Sequence, residues 1–191
     1  MTSFNLSDIV GHGLEVPKKI PVIKVSDSKN IFTYTFEYFL GMQNKEFTWK
    51  EGYQGVCDWL ENNNNKGLLL LGACSLGKTF MARYVLPAIL LKYSNRVLKS
   101  YDLNRDDIDN ILSKKICCLD DIGTEDVRNE YGTKRMAFSE IVDNAEKNGN
   151  LLIITTNLTG DEIKARYGLR VYERLLAITN QIAIKGSSER G

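Results

Sequence analysis

Short apolar runs alternate with amphipathic stretches along most of the chain, and this alternation predicts the secondary structure. Continuous apolar runs at residues 67–71, 116–119 and 151–156 predict strands that are buried on both faces of a parallel sheet. Alternating strands and helices of this kind predict a three-layer α/β fold that binds ligands at the carboxyl ends of its strands. Further strands are predicted at 97–101 and 181–184, and helices at 49–62, 78–92, 106–112, 131–147, 161–167 and 171–178.

The segment at 31–39, IFTYTFEYF, alternates in a way that predicts a strand with its aromatic side chains on one face. Such a face can bind nucleic-acid bases or a protein partner. Alternatively, it can be ordinary packed core, which is the commoner use of aromatic side chains at this spacing. The first thirty residues mix glycine, proline, lysine and serine, which is typical of an arm that a partner orders. We therefore expect a partner-docking arm and aromatic strand at 1–45 and one α/β domain at 46–191. The aromatic positions are Phe32, Tyr34, Phe36 and Tyr38.

Three residues are expected to shape the predicted helices. Thr48 has the side chain of an N-cap for the helix at 49–62. Pro87 must kink the helix at 78–92 or begin a second segment, because proline lacks the backbone N–H that a continuous helix needs. Gly149 follows the helix at 131–147 and is expected to end it.

Length and charge limit the possible classes of protein. The 191 residues can form one well-buried core but not two typical domains. The 25 basic and 24 acidic residues nearly cancel, so no overall field indicates a nucleic acid or a membrane as partner, although nucleic acid is not excluded. No apolar stretch approaches the roughly 18 residues of a membrane span, and residues 1–8 lack the order of a signal peptide. A cytoplasmic location and no membrane partner are expected.

The cysteines and the one histidine exclude several chemistries. The cysteines have neither the spacing of paired metal ligands nor the density of a disulfide scaffold. With His12 as the single histidine, a zinc cluster or a Ser-His-Asp hydrolase is disfavoured. The four cysteines are Cys57, Cys74, Cys117 and Cys118.

The octapeptide GACSLGKT at 72–79 fits the phosphate-loop pattern and directly follows a predicted strand. A glycine-rich turn that enters a helix points successive backbone N–H groups at phosphate oxygens. Lys78 is then placed to neutralise the β- and γ-phosphates, and the Thr79 hydroxyl can ligate Mg²⁺. Ser75 is a departure, because related loops often carry glycine there. The predicted nucleotide contacts are Gly72, Ala73, Cys74, Ser75, Leu76, Gly77, Lys78 and Thr79.

An acidic pair, Asp120 and Asp121, follows the apolar run at 116–119. One carboxylate at such a strand end can hold a water on Mg²⁺ while its neighbour acts on the attacking water. We assign Asp120 to the metal and Asp121 to the base. The alternative is a strand that simply ends at solvated acids.

Two further features can complete a hydrolytic site. Asn157 follows the strand at 151–156 and could orient the nucleophilic water, although strand ends are usually polar. Arg170 and Arg174 lie one helical turn apart on a predicted helix. An arginine supplied by a neighbouring subunit stabilises charge in phosphoryl transfer. A surface arginine paired with Glu173 or another acid explains the same pattern equally well.

These motifs occur in the order GACSLGKT, CCLDDIGTE, LLIITTNLT, YGLRVYERLL and IAIKGSSER. Together they resemble the bacterial helicase-loader and transposition-helper branch of the AAA+ ATPases, the DnaC-like and IstB-like proteins, over roughly residues 66–190. The resemblance implies a P-loop AAA+ core without a separate helical lid domain, with ATP and Mg²⁺ as ligands. It implies Lys78 and Thr79 as Walker A residues, Asp120 and Asp121 as Walker B, Asn157 as sensor 1, Arg174 as arginine finger and Arg190 as a sensor-2-like residue.

The resemblance implies an ATP-dependent helicase loader in DNA replication that forms a homo-oligomer when ATP is bound. Its partner would be a replicative helicase or, in a transposition-helper ATPase, a transposase, with single-stranded DNA as a further candidate. A weakly hydrolysing, ATP-gated adaptor is an alternative, and a small-molecule kinase is disfavoured because no acceptor site is recognisable. The segment 92–115 is compact and leaves little room for the helical insertion with which some relatives grip DNA.

Overall fold

A five-stranded parallel sheet forms the centre of the protein in the computed structural model, which describes residues 16–75, 77–91, 98–125, 128–130 and 133–186. The sheet order is β2-β3-β6-β1-β7, and β4 and β5 form a separate antiparallel hairpin. His12, Leu76 and Arg190 lie outside the described residues. The strands are β1 (Gly67–Leu71), β2 (Ser100–Tyr101), β3 (Ile116–Ile122), β4 (Arg128–Glu130), β5 (Thr133–Arg135), β6 (Leu151–Thr156) and β7 (Thr179–Ala183).

Helices cover both faces of this sheet, and the predicted three-layer α/β fold is confirmed. Adjacent residues of β3 belong to different layers, because side chains alternate across a strand: Cys118 packs with the helices on one face and Cys117 with those on the other. The helices are α1 (Ser28–Gly41), α2 (Tyr53–Glu61), α3 (Lys78–Phe80), a π-helical turn (Met81–Val85), α4 (Leu86–Leu90), α5 (Ile108–Leu112), α6 (Ala137–Asn148), α7 (Gly160–Tyr167) and α8 (Leu169–Ile178).

The predicted strand at 31–39 is wrong, because these residues lie within helix α1. Phe32 and Phe36 are four residues apart and share the buried face of the helix, whereas Tyr34 and Tyr38 are 69% and 54% exposed. The alternating pattern predicted that the tyrosines and the phenylalanines lie on the same face, but only the phenylalanines are buried. The same positions also fit a period of 3.6, and burial of Phe32 and Phe36 in the core with α2 favours the helix.

Several predicted boundaries also change. The π-helical turn comes immediately before α4, where Pro87 lacks the N–H that would continue the α-helical ladder, so the predicted kink takes this form. Gly52, with φ of +98°, precedes α2, and Thr48 is therefore not its N-cap. The hairpin β4–β5 occupies part of the predicted helix at 131–147, which begins only at Ala137.

Strand β3 extends beyond its predicted end to Ile122 and thereby contains both predicted acids. Its pairing with β6 is regular up to Leu119 and shifts before Ile122. Asp121 lies in this irregularity with φ of +54°, in the left-handed region. The distorted strand end therefore turns consecutive acidic residues in different directions. None of the helices in the described part of the chain combines the length and hydropathy of a membrane span.

Candidate nucleotide-binding site

The predicted phosphate loop joins β1 to α3 at the carboxyl end of the sheet. Positive φ angles occur at Gly72, Ser75 and Gly77, at +146°, +68° and +83°. A serine therefore adopts the left-handed conformation that glycine adopts without strain. At Gly77 a side chain is also excluded by contact, since a β-carbon there would lie 2.6 Å from the Tyr53 hydroxyl oxygen.

Lys78 is buried and connects the loop to the end of β6. Its Nζ donates hydrogen bonds to the carbonyl oxygens of Gly72 and Ala73, at 2.7 and 2.8 Å. The third donor goes to Asn157 Oδ1, at 2.9 Å. Burial lowers the pKa of Lys78, while the nearby carboxylates of Asp121 and Asp120 oppose that shift.

Asn157 extends this contact to the second predicted acid. Its Nδ2 donates to Asp121 Oδ1 at 2.8 Å, so one amide joins Lys78 to Asp121. Burial raises the pKa of Asp121, the Asp120 charge adds to that rise, and Lys78 opposes it. Three residues predicted from three separate motifs thus form one hydrogen-bonded chain.

Asp120 is nearly inaccessible, with 3% of its side chain exposed, and both of its oxygens are engaged. Thr155 Oγ1 donates to Oδ1 at 2.8 Å, and Arg83 Nε donates to Oδ2 at 2.9 Å. The Thr155 hydroxyl also accepts the backbone N–H of Asp121 at 2.8 Å. The sequence motifs gave no role to either of these partners of Asp120. The only signal for Arg83 was Pro87, because the π-helical turn that contains Arg83 directly precedes the helix with this proline.

Oxygen donors of the kind that bind magnesium lie at this end of the sheet. Thr79 is exposed and lines the cavity beside the loop together with Asp121, and Asp120 is the adjacent residue of β3. Within the described ranges, no group of three or more histidine, cysteine or acidic side chains could hold a metal by itself. Magnesium is commonly held by one or two protein oxygens together with substrate phosphates, so a site of this composition suits it.

A cavity of about 990 Å³ lies against the phosphate loop and has two chemically different walls. One wall carries Lys78, Thr79, Arg83, Asp121 and Asn157. The other is aromatic and is built mainly by α1, α2 and the segment between them, with two side chains from α3 and the π-helical turn. Only the part up to residue 45 belongs to the segment that the sequence predicted for partner docking. The apolar side chains of this wall are Phe36, Leu40, Phe47, Tyr53, Phe80 and Tyr84.

The aromatic wall is a continuous set of ring contacts. Phe36 stacks on Phe80 and on Tyr53, with ring centroids 5.1 and 5.5 Å apart. Phe47 stacks on Tyr53 at 6.1 Å, and Trp49 meets both Phe47 and Tyr53 edge to face. Flat apolar surfaces of this kind can pack against a nucleobase. The phosphate-loop motif gave no indication of this wall, because most of its residues lie on elements that precede β1.

The two candidate finger arginines lie away from this cavity in their own chain and contact α6 instead. Arg174 forms an ion pair with Asp143 and a second with Glu146, whose Oε2 is 3.1 Å from Arg174 Nε. Arg170 is 75% exposed and its Nη2 lies 3.8 Å from Asp143 Oδ2. The acid partners are therefore on α6, and Glu173 is not among the ion-pair partners in the described residues.

Glu125 is a buried acid that residue-level reasoning did not single out. Its Oε2 accepts the Gly123 N–H at 2.6 Å, and its Oε1 accepts the Tyr167 hydroxyl. Arg166 donates to the Glu125 carbonyl oxygen. The loop that follows β3 is thereby tied to α7, the helix that precedes α8 and its arginines.

Comparison with known proteins identifies the fold. No protein-family model and no curated protein matches the sequence. Among solved structures, the DnaC helicase loader has 20% identity and a TM-score of 0.52, over 85% of this chain and 93% of that one. A DnaI structure has 23% identity over 65% of this chain and 73% of its own, with a TM-score of 0.48. A primosome component from Streptococcus pyogenes serotype M3 has 18% identity over 88% of each chain, with a TM-score of 0.46. The chain therefore has the fold of the DnaC helicase loader.

Proposed function

We propose that this protein is a helicase-loader-like AAA+ ATPase of DNA replication, which changes its interactions as it binds and hydrolyses ATP. The observation that carries the proposal is the hydrogen-bonded chain from Lys78 through Asn157 to Asp121 beside the phosphate loop. Lys78 would donate hydrogen bonds to the phosphates, Asn157 would orient the attacking water, and Asp121 would act as the base. Hydrolysis of a γ-phosphate requires all three roles. The DnaC-like fold is consistent with this use.

The cavity suits a nucleoside triphosphate in both size and chemistry. Its volume of about 990 Å³ lies at the upper end of the range for small-molecule sites. The triphosphate would lie along the loop, where backbone N–H groups and Lys78 supply positive charge. The nucleobase of ATP would pack between the aromatic side chains of the opposite wall, including Phe36, Phe47 and Tyr53.

Thr79 and Asp120 would hold magnesium in this site. The ion, when bound, neutralises charge on the β- and γ-phosphates. Asp121 would accept the proton of the attacking water, and its raised pKa makes it a stronger base than an ordinary aspartate. Asn157 would orient that water while it holds Asp121 and Lys78 in register.

Arg174 is the proposed arginine finger, supplied to the cavity of a neighbouring subunit in an ATP-bound homo-oligomer. The support is its place on α8, with its guanidinium held by acids of α6 outside the chain's own cavity. Arg170 is the alternative, since it is more exposed and more weakly paired. Arg190 remains the proposed sensor-2-like residue.

We propose a replicative helicase as the partner, and a transposase as the alternative partner. The proposed docking segment at 1–45 includes α1, which carries the exposed side chains of Tyr34 and Tyr38, and Met42, which is exposed directly after the helix. Exposed aromatic and methionine side chains are common at protein interfaces. Single-stranded DNA remains a proposed ligand of the loaded complex.

A weakly hydrolysing adaptor is the second candidate function, and one observation favours it. Asp120, the proposed metal-binding acid, already has a cation partner in Arg83. An adaptor of this kind would bind ATP and recruit its partner but turn over slowly.

Purification of the tagged protein from its native host, with ATP and with ADP, tests the proposed function. Recovery of a hexameric helicase, together with ATP hydrolysis that the helicase or single-stranded DNA stimulates, supports a loader. Recovery of a transposase favours the transposition-helper alternative. ATP binding and partner recovery without stimulated hydrolysis favours the adaptor. Absence of ATP binding by the wild-type protein would refute all three.

A further inference from the structure

Arg83 is the cationic partner of Asp120, the acid at the carboxyl end of β3. Its Nε lies 2.9 Å from Asp120 Oδ2, and the side chain is half exposed and lines the cavity. Asp120 itself is buried, so this ion pair spans from the interior of the sheet to the cavity wall. No role was assigned to Arg83 by the sequence motifs.

The local backbone explains why the arginine reaches this position. Arg83 lies in the π-helical turn Met81–Val85, which inserts an extra residue per turn before Pro87. Proline cannot donate the hydrogen bond that an α-helix would direct to the Arg83 carbonyl oxygen. The widened turn therefore changes the direction of the side chains relative to a regular helix, and Arg83 lies against β3.

A metal cation bound at Asp120 would compete with Arg83 for the same buried carboxylate. The Thr155 hydroxyl occupies Asp120 Oδ1, so Oδ2 is the oxygen that Arg83 neutralises. A cation that approached this carboxylate would meet the guanidinium charge at close range, in surroundings of low dielectric constant. Its binding would therefore require that Arg83 move or share the carboxylate.

We infer that Arg83 is a positioning residue that acts as an internal counter-cation of Asp120, and that magnesium must compete with it when nucleotide binds. This inference rests on the proposed function, because it takes Mg²⁺·ATP as the ligand. Arg83 thereby raises the magnesium concentration that tight nucleotide binding requires. In the absence of magnesium it keeps the buried carboxylate neutralised.

The consequence is measurable as a linkage between magnesium and nucleotide. Arg83→Gln removes the competing charge. The factor by which magnesium strengthens nucleotide binding should therefore be larger in this variant than in the wild-type protein, by about fivefold or more. The same variant leaves Asp120 buried without a cation, which destabilises the protein. Magnesium with nucleotide should therefore raise Tm more in this variant than in the wild type.

The experiment measures the Kd of the N-methylanthraniloyl derivative of AMPPNP with excess Mg²⁺ and with EDTA, together with Tm in both conditions. The ratio of the two Kd values is compared for wild type, Arg83→Gln and Lys164→Gln, which removes the same charge from the surface pair with Asp161. We expect a larger ratio only in Arg83→Gln. In an Asp120→Asn background, Arg83→Gln should leave the ratio unchanged.

An equal or smaller ratio in Arg83→Gln overturns the inference, because it shows that Arg83 does not oppose magnesium. If that variant does not fold, Arg83→Lys replaces it; lysine keeps the charge but loses the Nε contact that holds it on Asp120, so a smaller increase of the ratio over that of wild type is expected. Failure of the wild-type protein to bind the analogue in either condition refutes the proposed function instead. The two failures are therefore distinguishable.

Discussion

The hydroxyl oxygen of Tyr53 lies 2.6 Å from the point at which a β-carbon on Gly77 would stand. Tyr53 belongs to α2 and to the aromatic wall, whereas Gly77 is the residue before Lys78 in the phosphate loop. The two walls of the cavity are thus in direct contact at this point. The Tyr53 hydroxyl therefore leaves no room for a side chain at Gly77.

Gly77→Ala should weaken nucleotide binding and destabilise the fold by about 1–3 kcal/mol, because it combines a positive φ with a steric clash. Binding of a fluorescent ATP analogue and urea denaturation measure the two effects. Gly168→Ala is the control: its φ of +89° also disfavours alanine, but nothing lies within 4 Å of the added β-carbon.

The control should lose stability without losing nucleotide affinity. Tyr53→Phe, which removes the hydroxyl oxygen, should restore part of the nucleotide affinity of Gly77→Ala. It should have no such effect in the Gly168→Ala background. If Tyr53→Phe gives no rescue, the contact between the two walls does not shape the loop.

Lys78→Ala should abolish tight nucleotide binding, because it removes the charge that faces the phosphates. Arg174→Ala should leave nucleotide affinity intact and reduce kcat by about 10³-fold or more, as expected of an arginine finger. Nucleotide titration and an ATPase assay on the assembled complex make the comparison. Arg170→Ala is the matched control from the same helix and should change kcat only slightly.

An equal loss of binding in Lys78→Ala and Arg174→Ala would refute the assignment of Arg174 to a neighbouring subunit's site. A large loss of kcat in Arg170→Ala with normal turnover in Arg174→Ala would transfer the finger to Arg170.

Asp121 carries a stability cost that depends on pH. Its pKa is raised in the folded state, mainly by burial, so ionisation carries a cost in folding free energy that develops as the pH rises from the ordinary aspartate pKa to the raised one. Asp121→Asn should therefore be more stable than the wild type near neutral pH while losing hydrolysis. The difference in stability between the two proteins should shrink as the pH falls below the raised pKa, because the aspartate is then protonated and neutral, like the asparagine.

Urea midpoints measured from acidic to neutral pH test this expectation. Asp58→Asn, on the exposed side of α2, is the control and should show no comparable gain. A gain for Asp121→Asn that is equally large at acidic and neutral pH would contradict the electrostatic explanation.

Glu125 should contribute strongly to stability, since its removal leaves the Gly123 N–H and the Tyr167 hydroxyl without their acceptor. We expect Glu125→Ala to lower the free energy of unfolding by about 2–4 kcal/mol. Tyr167→Phe removes a single hydrogen bond and should cost about 1 kcal/mol. Equal small losses in both variants, measured by urea denaturation, would show that the contact between the β3 loop and α7 is unimportant.

The central strands β1 and β6 were predictable because their signal is local, whereas β4 and β5 were not predicted. The apolar runs of β1 and β6 coincide with the observed bounds, and both are buried as a two-sided sheet requires. The segment at 31–39 was misassigned because its alternation is also compatible with a helix. Only the burial of Phe32 and Phe36 against α2 distinguishes the two.

The candidate site was predictable where spacing within a motif carries the chemistry. Lys78 and Asp121 follow from the phosphate loop and the acidic strand end, and their connection through Asn157 is observed in the structure. Arg83 and Thr155 were not predictable, because their roles depend on which strand end lies beside them in the folded sheet. The π-helical turn before Pro87 shifts the helical register by one residue, and a regular helix would have placed Arg83 elsewhere.

The aromatic wall gives the protein an optical reporter of its own. Trp49 touches Phe47 and Tyr53, which line the cavity, and the Lys29 ammonium lies 5.0 Å from the centroid of its ring. The other tryptophan, Trp59, is buried and donates its Nε1–H to the carbonyl oxygens of Lys66 and Gly67. Emission from Trp49 should shift when the neighbouring rings rearrange around a ligand, while Trp59 provides a constant internal reference. Occupancy of the cavity can thus be followed by intrinsic fluorescence, without a label or a substitution.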